Sequence, residues 1–497
     1  MFLGVKLDKR KAKTITRRTI MDKVRTRFAP SPTGYLHIGG LRTALYGFLY
    51  SKKQGGDFVL RIEDTDTARY VDGSVEIIYS TMRDSGIMYD EGPDVGGNYG
   101  PYVQSERKAI YKEYAEKLVE LGGAYYCFCS QERIEGLRDE EGNVRYDKHC
   151  LNLSKEEIAQ KIANGEPYVI RQNVPKEGAG SYVDLVYGEI TVDYKDIEDG
   201  ILLKSDGMPT YNFANVVDDH LMGITHVIRG TEYLSSTPKY NLMYDSFGWE
   251  RPVYIHLPPI MKDAQHKLSK RNGDASYEDF VKKGYVKESI VNYIALLGWS
   301  PKTNVEKMSL SELIENFSLE GIGRSPAIFD DVKCRWLSGE YIKEMSFEDF
   351  KQNAYPFLQQ SKAFGKYDDD KLLSLVKGRI QIYSEIAEKL DFIEEFGAFD
   401  TNLFVNEKQK ASKELAKEIL PKIKDKLANV TDWQNSNLFA TLVELSAELG
   451  IKKQAVLWIA RIALTAKEST PGGATEIAEL LGKDKTLQRL DFAFGLL

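Results

Sequence analysis

Two short segments, far apart in the chain, carry residue types suited to holding phosphates. The first is His37-Ile38-Gly39-Gly40, at the point where apolar spacing predicts a helix to begin. Helix N-terminal amides and the helix dipole favour anions. Two glycines let a nucleotide approach the backbone with no Cβ in the way, and a histidine just before them can donate a hydrogen bond to a phosphate oxygen. On four residues alone, a polar helix entrance with glycines for close packing is the commoner outcome. The second segment is Lys267-Leu268-Ser269-Lys270-Arg271, followed by Asn272-Gly273-Asp274. Its clustered cations on a glycine-bordered loop suit a triphosphate whose charge grows in a transition state, although a solvated basic loop is the usual fate of such a cluster. The pattern GxxxxGK[ST] is absent, so any ATP is held by another device.

These segments need elements to bring them together. Residues 24–29 read as a short buried strand that runs into Pro30-Ser31-Pro32-Thr33-Gly34, where two prolines exclude helix. Ile38, Leu41, Leu45, Phe48 and Leu49 then recur at helical spacing until Gly55-Gly56, and 58–62 is again strand-like, ending in Glu63-Asp64-Thr65-Asp66. Strand, glycine-bearing loop, helix and strand make a βαβ unit and predict a parallel sheet, whose ligands sit beyond the carboxyl ends of the strands. A helix with a Ser105 cap is expected over 105–122. Cysteines, the capping box Ser154/Glu157 and a β-rich stretch at 168–174 then mark an inserted α+β domain. Sheet-like sequence resumes at 201–204, and a helix is expected from near Tyr211. Beyond Tyr285 the pattern is overwhelmingly helical, through 407–427 and 438–449 to the end.

The expected fold class is α/β. A Rossmann-type parallel-sheet catalytic domain is split by the inserted α+β domain and followed by an all-helical C-terminal region. The expected divisions are a disordered basic extension at 1–20, the first half of the catalytic domain at 21–104, the insertion at 105–203, the second half at 204–262, a connecting region with the basic loop at 263–340, and the helical region at 341–497. The basic extension is read as lying upstream of the true start. Of the 497 residues 42% are hydrophobic and 11% aromatic, enough for sizeable cores and too many for a disordered or collagenous chain. Lys and Arg number 67 against 74 Asp and Glu, a net charge of -7, so RNA contact requires local basic faces rather than a uniformly basic coat. Four cysteines do not make a disulfide scaffold in so long a chain and suit a reducing cytoplasm. No apolar run approaches the ~20 residues of a membrane span.

Taken together, Arg27-Phe28-Ala29-Pro30-Ser31-Pro32-Thr33-Gly34-Tyr35-Leu36-His37-Ile38-Gly39 and Lys267-Leu268-Ser269-Lys270-Arg271 resemble the HIGH and KMSKS elements of class I aminoacyl-tRNA synthetases, in the variant found in glutamyl-tRNA synthetases. Further matches are Arg61-Ile62-Glu63-Asp64-Thr65-Asp66, Gln104-Ser105-Glu106-Arg107, the run 203–220, Val227-Ile228-Arg229-Gly230 and Thr470-Pro471-Gly472. The resemblance covers essentially everything from Met21 onward. It implies activation of L-glutamate by ATP to glutamyl-adenylate, with release of pyrophosphate, then transfer to the 3′-terminal adenosine of tRNA(Glu), by a monomer in the cytoplasm. The resemblance implies that His37, Gly39, Gly40, Lys267, Ser269 and Lys270 form the catalytic set. ATP would meet His37, Gly39, Lys267, Leu268, Lys270 and Arg271, with Mg²⁺ held largely by phosphates and water. Glutamate would meet Arg27, Ser31, Glu63, Tyr211, Asn215 and Arg229. Two carboxylates and one ammonium call for two guanidinium forks and one anion, and Glu63 is the anion; which arginine takes which carboxylate stays open.

Some bacterial relatives bind zinc through C-x-C followed by C-x-H. Here Cys127-x-Cys129 and Cys150 are present, but Asn152 stands where the histidine would be, so a tetrahedral site needs His149 or an outside donor; ordinary buried thiols are the alternative. The resemblance implies that the insertion holds the tRNA acceptor end, that the region 263–340 contacts the stem, and that the helical region 341–497 binds the anticodon. The lysines of 407–426 (Lys408, Lys410, Lys413, Lys417, Lys422, Lys424 and Lys426), with Arg461 and Lys467, are candidate phosphate contacts. The nearest rivals are a glutaminyl-tRNA synthetase, against which the helical tail argues, a truncated tRNA-glutamylating relative, against which length argues, and a non-catalytic RNA-binding paralogue, which predicts eroded ATP motifs where both stand intact.

Overall fold

The computed structural model describes residues 23–66, 69–138, 145–268, 276–396 and 399–497. The basic extension at 1–20 and the loop positions Ser269, Lys270 and Arg271 lie outside the described residues. The chain divides into two compact units, one running to Asp279 and including Ile290–Asp330, the other formed by Phe280–Ser289 and Asp331–Leu497.

The first unit begins with the expected βαβ: β1 (Arg25–Phe28), α1 (Ile38–Lys53) and β2 (Asp57–Leu60), the strands parallel in register from Arg25↔Asp57 to Phe28↔Leu60. All four β1 residues are buried, as a parallel sheet covered on both faces requires. On α1 the side chains of Leu41, Ala44, Leu45, Phe48 and Leu49 are buried, and Lys52 and Lys53 occupy the last turn, where the dipole favours cations. Gly55 then adopts φ 63, and a Cβ on Gly56 would lie 2.1 Å from the carbonyl oxygen of Val24. That close approach lets the Asp57 amide donate to Val24 at 2.9 Å and start the strand pair.

The insertion opens with α2 (Lys108–Glu120), capped at Arg107, two residues later than the Ser105 cap predicts. A 3-10 turn, Gln104–Arg107, precedes it. The side chains of Gln104 and Arg107 are drawn inward to Asp218 and the Ser105 amide donates to Asp64 Oδ1, so Ser105 lies inside the turn and Arg107 holds the cap position. Next, β3 (Ala124–Cys127), β4 (Val169–Gln172) and β7 (Ile201–Leu203) form an antiparallel sheet, and the Ser154/Glu157 capping box is present. Between β4 and β7 the hairpin of β5 (Ala179–Asp184) and β6 (Gly188–Asp193) leaves that sheet, and β5 pairs in parallel with β9 (Val253–Leu257) at Asp184↔Tyr254. The division expected at 203/204 is therefore crossed by a sheet of order β6-β5-β9-β8, where β8 is His226–Gly230. Sequence spacing cannot show this, because the hairpin pairs with a strand some seventy residues onward.

The second half of the nucleotide fold is α3 (Tyr211–Leu221), β8, α4 (Thr237–Phe247) and β9, with β8 and β9 parallel from His226↔Val253 to Gly230↔Leu257. It joins the first half through the Thr225 amide, which donates to the Arg25 carbonyl at 3.0 Å. The short strands β10 (Ile260–Met261) and β11 (Ala327–Ile328) pair beyond it.

The second unit is helical among its described residues, with Ile386, Phe392, Phe404, Ile459 and Ile462 in one continuous core. The helix expected over 407–427 runs Lys413–Ala428 instead, because Ser412 caps it by accepting from the Leu415 amide, while Asn406 and Ala411 close a bridged turn before it. Its buried stripe is Ala416, Ile419, Leu420, Ile423 and Leu427. No helix among the described residues is long and apolar enough to cross a membrane. Substituting Gly56→Ala should force β1 away from β2 and destabilise the first unit by roughly 1–3 kcal/mol, read as an earlier urea transition of that unit with the second unit's transition unmoved.

Candidate active site

The helix entrance follows the carboxyl end of β1, and the basic loop follows β10. His37 caps α1: its Nδ1 accepts from the Gly39 amide at 3.0 Å, which leaves the proton of the neutral ring on Nε2 as a donor. A Cβ on Gly39 would come within 3.2 Å of that Nδ1, so glycine there protects the orientation of the imidazole. The basic loop is anchored at both ends. At its start Lys267 bridges to Met261, and the Leu268 amide donates to Ile260 at 3.2 Å; at its far end Ser276 bridges antiparallel to His37, and the Tyr277 amide lies 3.4 Å from the Leu36 carbonyl oxygen. The far end of the loop is thus joined to the helix entrance, and Lys267, at its start, is exposed.

The expected glutamate residues gather around a buried ionic network. Arg27, 5% exposed, forms a fork with Asp219: Nε lies 3.1 Å from Oδ1 and Nη2 3.2 Å from Oδ2; its Nη1 reaches the Ile228 carbonyl oxygen at 3.3 Å. Arg61, fully buried, donates to Glu63 at 2.9 Å and to Asp219 at 2.8 Å, and its Nε lies 3.6 Å from Asp218. Asp218 also accepts from Arg107 at 2.7 Å and from Gln104 and Tyr111 at 2.8 Å. Burial pushes the Glu63 carboxyl up to about 7, against the pull of Arg61 and Arg27. Asp219, despite its burial, is held below the usual carboxylate range by Arg27 and Arg61.

Arg229 has a different environment. It is buried, its Nε donates to His256 Nε2 at 3.1 Å and its Nη2 to Thr237 Oγ1 at 2.7 Å, and the rings of Tyr233, Tyr240 and Tyr254 surround it with centroids at 5.0, 4.8 and 5.4 Å. No carboxylate among the described residues lies within ion-pair distance of it. Asn215 lines the same small cleft as Arg229 and Asp219, with its amide nitrogen on the Tyr211 carbonyl oxygen at 2.8 Å. Burial raises the Tyr211 hydroxyl well above its ordinary value, with Glu63 adding to the effect. Ser31 is exposed, next to Pro30, whose carbonyl accepts from the Glu63 amide at 3.0 Å. Sequence reasoning named Arg27, Glu63, Tyr211, Asn215 and Arg229. It missed Arg61, Asp218, Asp219, Asp184 and His256, of which the first three lie inside the motifs it quoted.

In the insertion, the sulfurs of Cys127, Cys129 and Cys150 lie within 4.8 Å of one another. His149, the candidate fourth donor, is exposed. The Tyr146 hydroxyl takes that corner instead, 3.3 Å from Cys127 Sγ and 3.4 Å from Cys129 Sγ. Although burial opposes it, hydrogen bonds from Tyr146, the Cys129 backbone and Arg171 lower the Cys127 thiol, while burial pushes Cys129 up to about 11. The three thiols within reach of one point supply three of the four ligands that a tetrahedral cation such as zinc takes, and a protonated phenol is a hydrogen-bond partner of the sulfurs rather than a fourth ligand.

The basic face of the helical unit is partly self-neutralised. Lys422 pairs with Glu418, Lys424 with Asp491 and Lys426 with Glu448, and Lys417 donates to the Leu497 carbonyl. Such exposed pairs are weak and a phosphate can displace them. Burial and the nearby Arg379 guanidinium lower Arg461 from its ordinary value.

A parallel nucleotide fold with a capped helix entrance and a basic loop stitched to it defines an adenylate-forming class I synthetase. Residues 23–336 match the family described as tRNA synthetases class I (E and Q), catalytic domain, and residues 340–494 match an anticodon binding domain. The glutamate–tRNA ligase of Clostridium botulinum (strain Eklund 17B / Type B) is 54% identical over 96% of this chain and 99% of its own length. That of Clostridium kluyveri is 54% identical over 95% of this chain and 98% of its own. A crystal structure of a glutamate tRNA ligase from Elizabethkingia meningosepticum, in complex with its amino acid, is similar with a TM-score of 0.85 at 34% identity, covering 96% of this chain and all of that one. The chain belongs to the class I tRNA synthetases of the glutamate and glutamine type, and within them to the glutamate–tRNA ligases.

Proposed function

We propose that the first unit performs this family's two-step reaction with the residues assembled above. The glutamate α-carboxylate attacks the α-phosphorus of ATP, the bond to pyrophosphate breaks, and the mixed anhydride glutamyl-adenylate forms. A hydroxyl of the terminal adenosine of tRNA(Glu) then attacks the acyl carbon and AMP leaves. Such chemistry depends on positioning and charge neutralisation. The bridge between His37 and Ser276 supports this reading, because it ties the far end of the basic loop to the helix entrance. The His37 Nε2–H would donate to the phosphates, Gly39 and Gly40 would leave room for the nucleotide, and Lys267 with Lys270 would close over the β- and γ-phosphates, alongside Leu268, Ser269 and Arg271. Mg²⁺ would ride on the phosphates.

Arg229, with no carboxylate among the described residues within ion-pair distance, would take one substrate carboxylate. Glu63 would take the ammonium, and Ser31, Tyr211 and Asn215 would supply neutral hydrogen bonds. Arg27, already forked on Asp219, would present its remaining N–H groups to the second carboxylate. Glutamine would leave a buried guanidinium unpaired and be rejected. The three thiols, with a fourth donor from outside the cluster, would hold zinc as a structural ion, and the Tyr146 hydroxyl, hydrogen-bonded to two of the sulfurs, would orient them. Reaction in the cytoplasm, as a monomer, completes the proposal.

ATP–pyrophosphate exchange with glutamate and tRNA should be glutamate-specific and should collapse in Lys270→Ala; full activity in that variant would refute the lysine's role. Because burial raises the Glu63 carboxyl to about 7 and the ammonium requires its ionised form, KM for glutamate should climb as pH falls through 7, while KM for ATP stays flat; a flat glutamate profile in Glu63-intact enzyme would remove the assignment. Element analysis of purified protein should find one zinc per chain, and Tyr146→Phe should lose it to a chelator roughly ten- to hundredfold more readily; protein free of stoichiometric zinc would dispose of the metal site.

A further inference from the structure

We propose that His256, fixed by Asp184 as a neutral ring with its proton on Nδ1, is the positioning residue that orients Arg229 toward a substrate carboxylate without cancelling its charge. The inference rests on the reading of Arg229 as a glutamate-binding residue. Arg229 and His256 are direct register partners on the parallel strands β8 and β9, and Asp184 ends the neighbouring β5. Three adjacent strands thus present a carboxylate, an imidazole and a guanidinium in one buried row: Asp184 is 1% exposed, His256 0% and Arg229 5%.

Donor and acceptor logic fixes the ring's state. A guanidinium Nε can only donate, so the His256 Nε2 at 3.1 Å must accept and carry no proton. Nδ1 then carries it and donates to Asp184 Oδ2 at 2.7 Å. Asp184 is itself committed as an acceptor: the same Oδ2 takes the His256 amide at 3.0 Å, and Oδ1 takes the amides of Val186 and Tyr187 at 2.9 and 2.8 Å. With four N–H donors converging on it, the carboxylate has no proton to offer the ring, and the opposite tautomer would set two donors against each other at Arg229. The other groups facing the imidazole are Tyr182 on β5, Tyr254 on β9, Thr237 at the start of α4 and Glu232 after β8. Burial and the Arg229 charge lower the His256 ring below its ordinary value against the pull of Asp184, which agrees with a neutral ring.

The contrast with Arg27 gives the arrangement its purpose. Arg27 is oriented by a carboxylate that also quenches it, whereas Arg229 is oriented by a neutral acceptor, with the balancing negative charge one imidazole further away. A carboxylate ligand therefore meets a guanidinium that is rigid and still cationic, which favours glutamate over its amide.

The test measures KM for glutamate and kcat separately in the exchange reaction, with ATP and tRNA saturating. His256→Asn keeps a donor for Asp184 and removes the acceptor for Arg229; it should raise KM for glutamate roughly tenfold to hundredfold, with KM for ATP unchanged. His256→Gln, whose side-chain oxygen reaches the Nε2 position, should restore KM to within about threefold of the parent. If Arg229→Ala leaves KM for glutamate unchanged, the reading of the site falls and this inference with it. If Arg229→Ala raises KM while a folded His256→Asn does not, the inference alone is overturned. A measurement on the unmodified chain covers the case of misfolded variants: nitrogen NMR of histidine-labelled protein should show His256 at neutral pH with Nδ1 protonated and Nε2 bare, and the opposite tautomer or an imidazolium would overturn the proposal.

Discussion

Placing charged groups in a dry interior is expensive, and a structure that does so must satisfy nearly every one of them. In the first unit, Arg27, Arg61, Glu63, Arg107, Asp218 and Asp219 are all under a tenth exposed, and they come from β1, the segment just after β2, the turn before α2 and the last turn of α3. Three guanidinium groups meet three carboxylates there, so the cluster is balanced overall, yet no member can be moved without leaving another unpaired. The two halves of the sheet are held in register by this cluster as much as by the backbone bond from Thr225 to Arg25. Apolar packing around β1, α1 and β2 could tolerate small shifts; the ionic network cannot, because its energy depends on forks and carboxylates meeting within about 3 Å.

That rigidity is what a recognition cleft for a doubly anionic, singly cationic small molecule needs. Guanidinium groups with every donor satisfied internally would ignore a ligand, and unsatisfied ones would destabilise the empty fold. The chain divides the problem. Arg61 and Arg107 are consumed by the network, Arg27 is largely consumed, and Arg229 is kept apart behind tyrosine rings and a neutral imidazole. The side assigned to phosphates in the proposal is built from different materials: a helix entrance capped by its own histidine and a loop whose described ends are stitched to the helix entrance and to β10. Lys267, at the start of that loop, is exposed.

The hairpin β5–β6 shows how far a sheet can cut across an order expected from the sequence. Local patterning assigns residues 179–193 to the insertion because they follow its β-rich stretch; the fold gives them to the catalytic sheet, where Asp184 lies within hydrogen-bond reach of His256. The helix start at Lys108 has a similar cause. Ser105 has the right type for a cap, but Gln104 and Arg107 are claimed by Asp218 on a distant helix, and the intervening backbone becomes a 3-10 turn. In the cysteine cluster the pattern exposed a missing ligand, and folding brought a tyrosine rather than a histidine into the gap.

What the sequence determined by itself was everything that depends on near neighbours or on long exact motifs: the βαβ opening, the glycine-lined helix entrance, the basic loop, the helical second half and the family they resemble. These are legible because helix periodicity, capping, turn chemistry and motif order act over a few residues. The tertiary structure alone decided which arginine is quenched and which keeps its charge, which group completes the thiol cluster, and which histidine stands behind Arg229. Those outcomes depend on donors and acceptors contributed by strands dozens of residues apart, and the direction of a hydrogen bond between them is set only when the sheet forms.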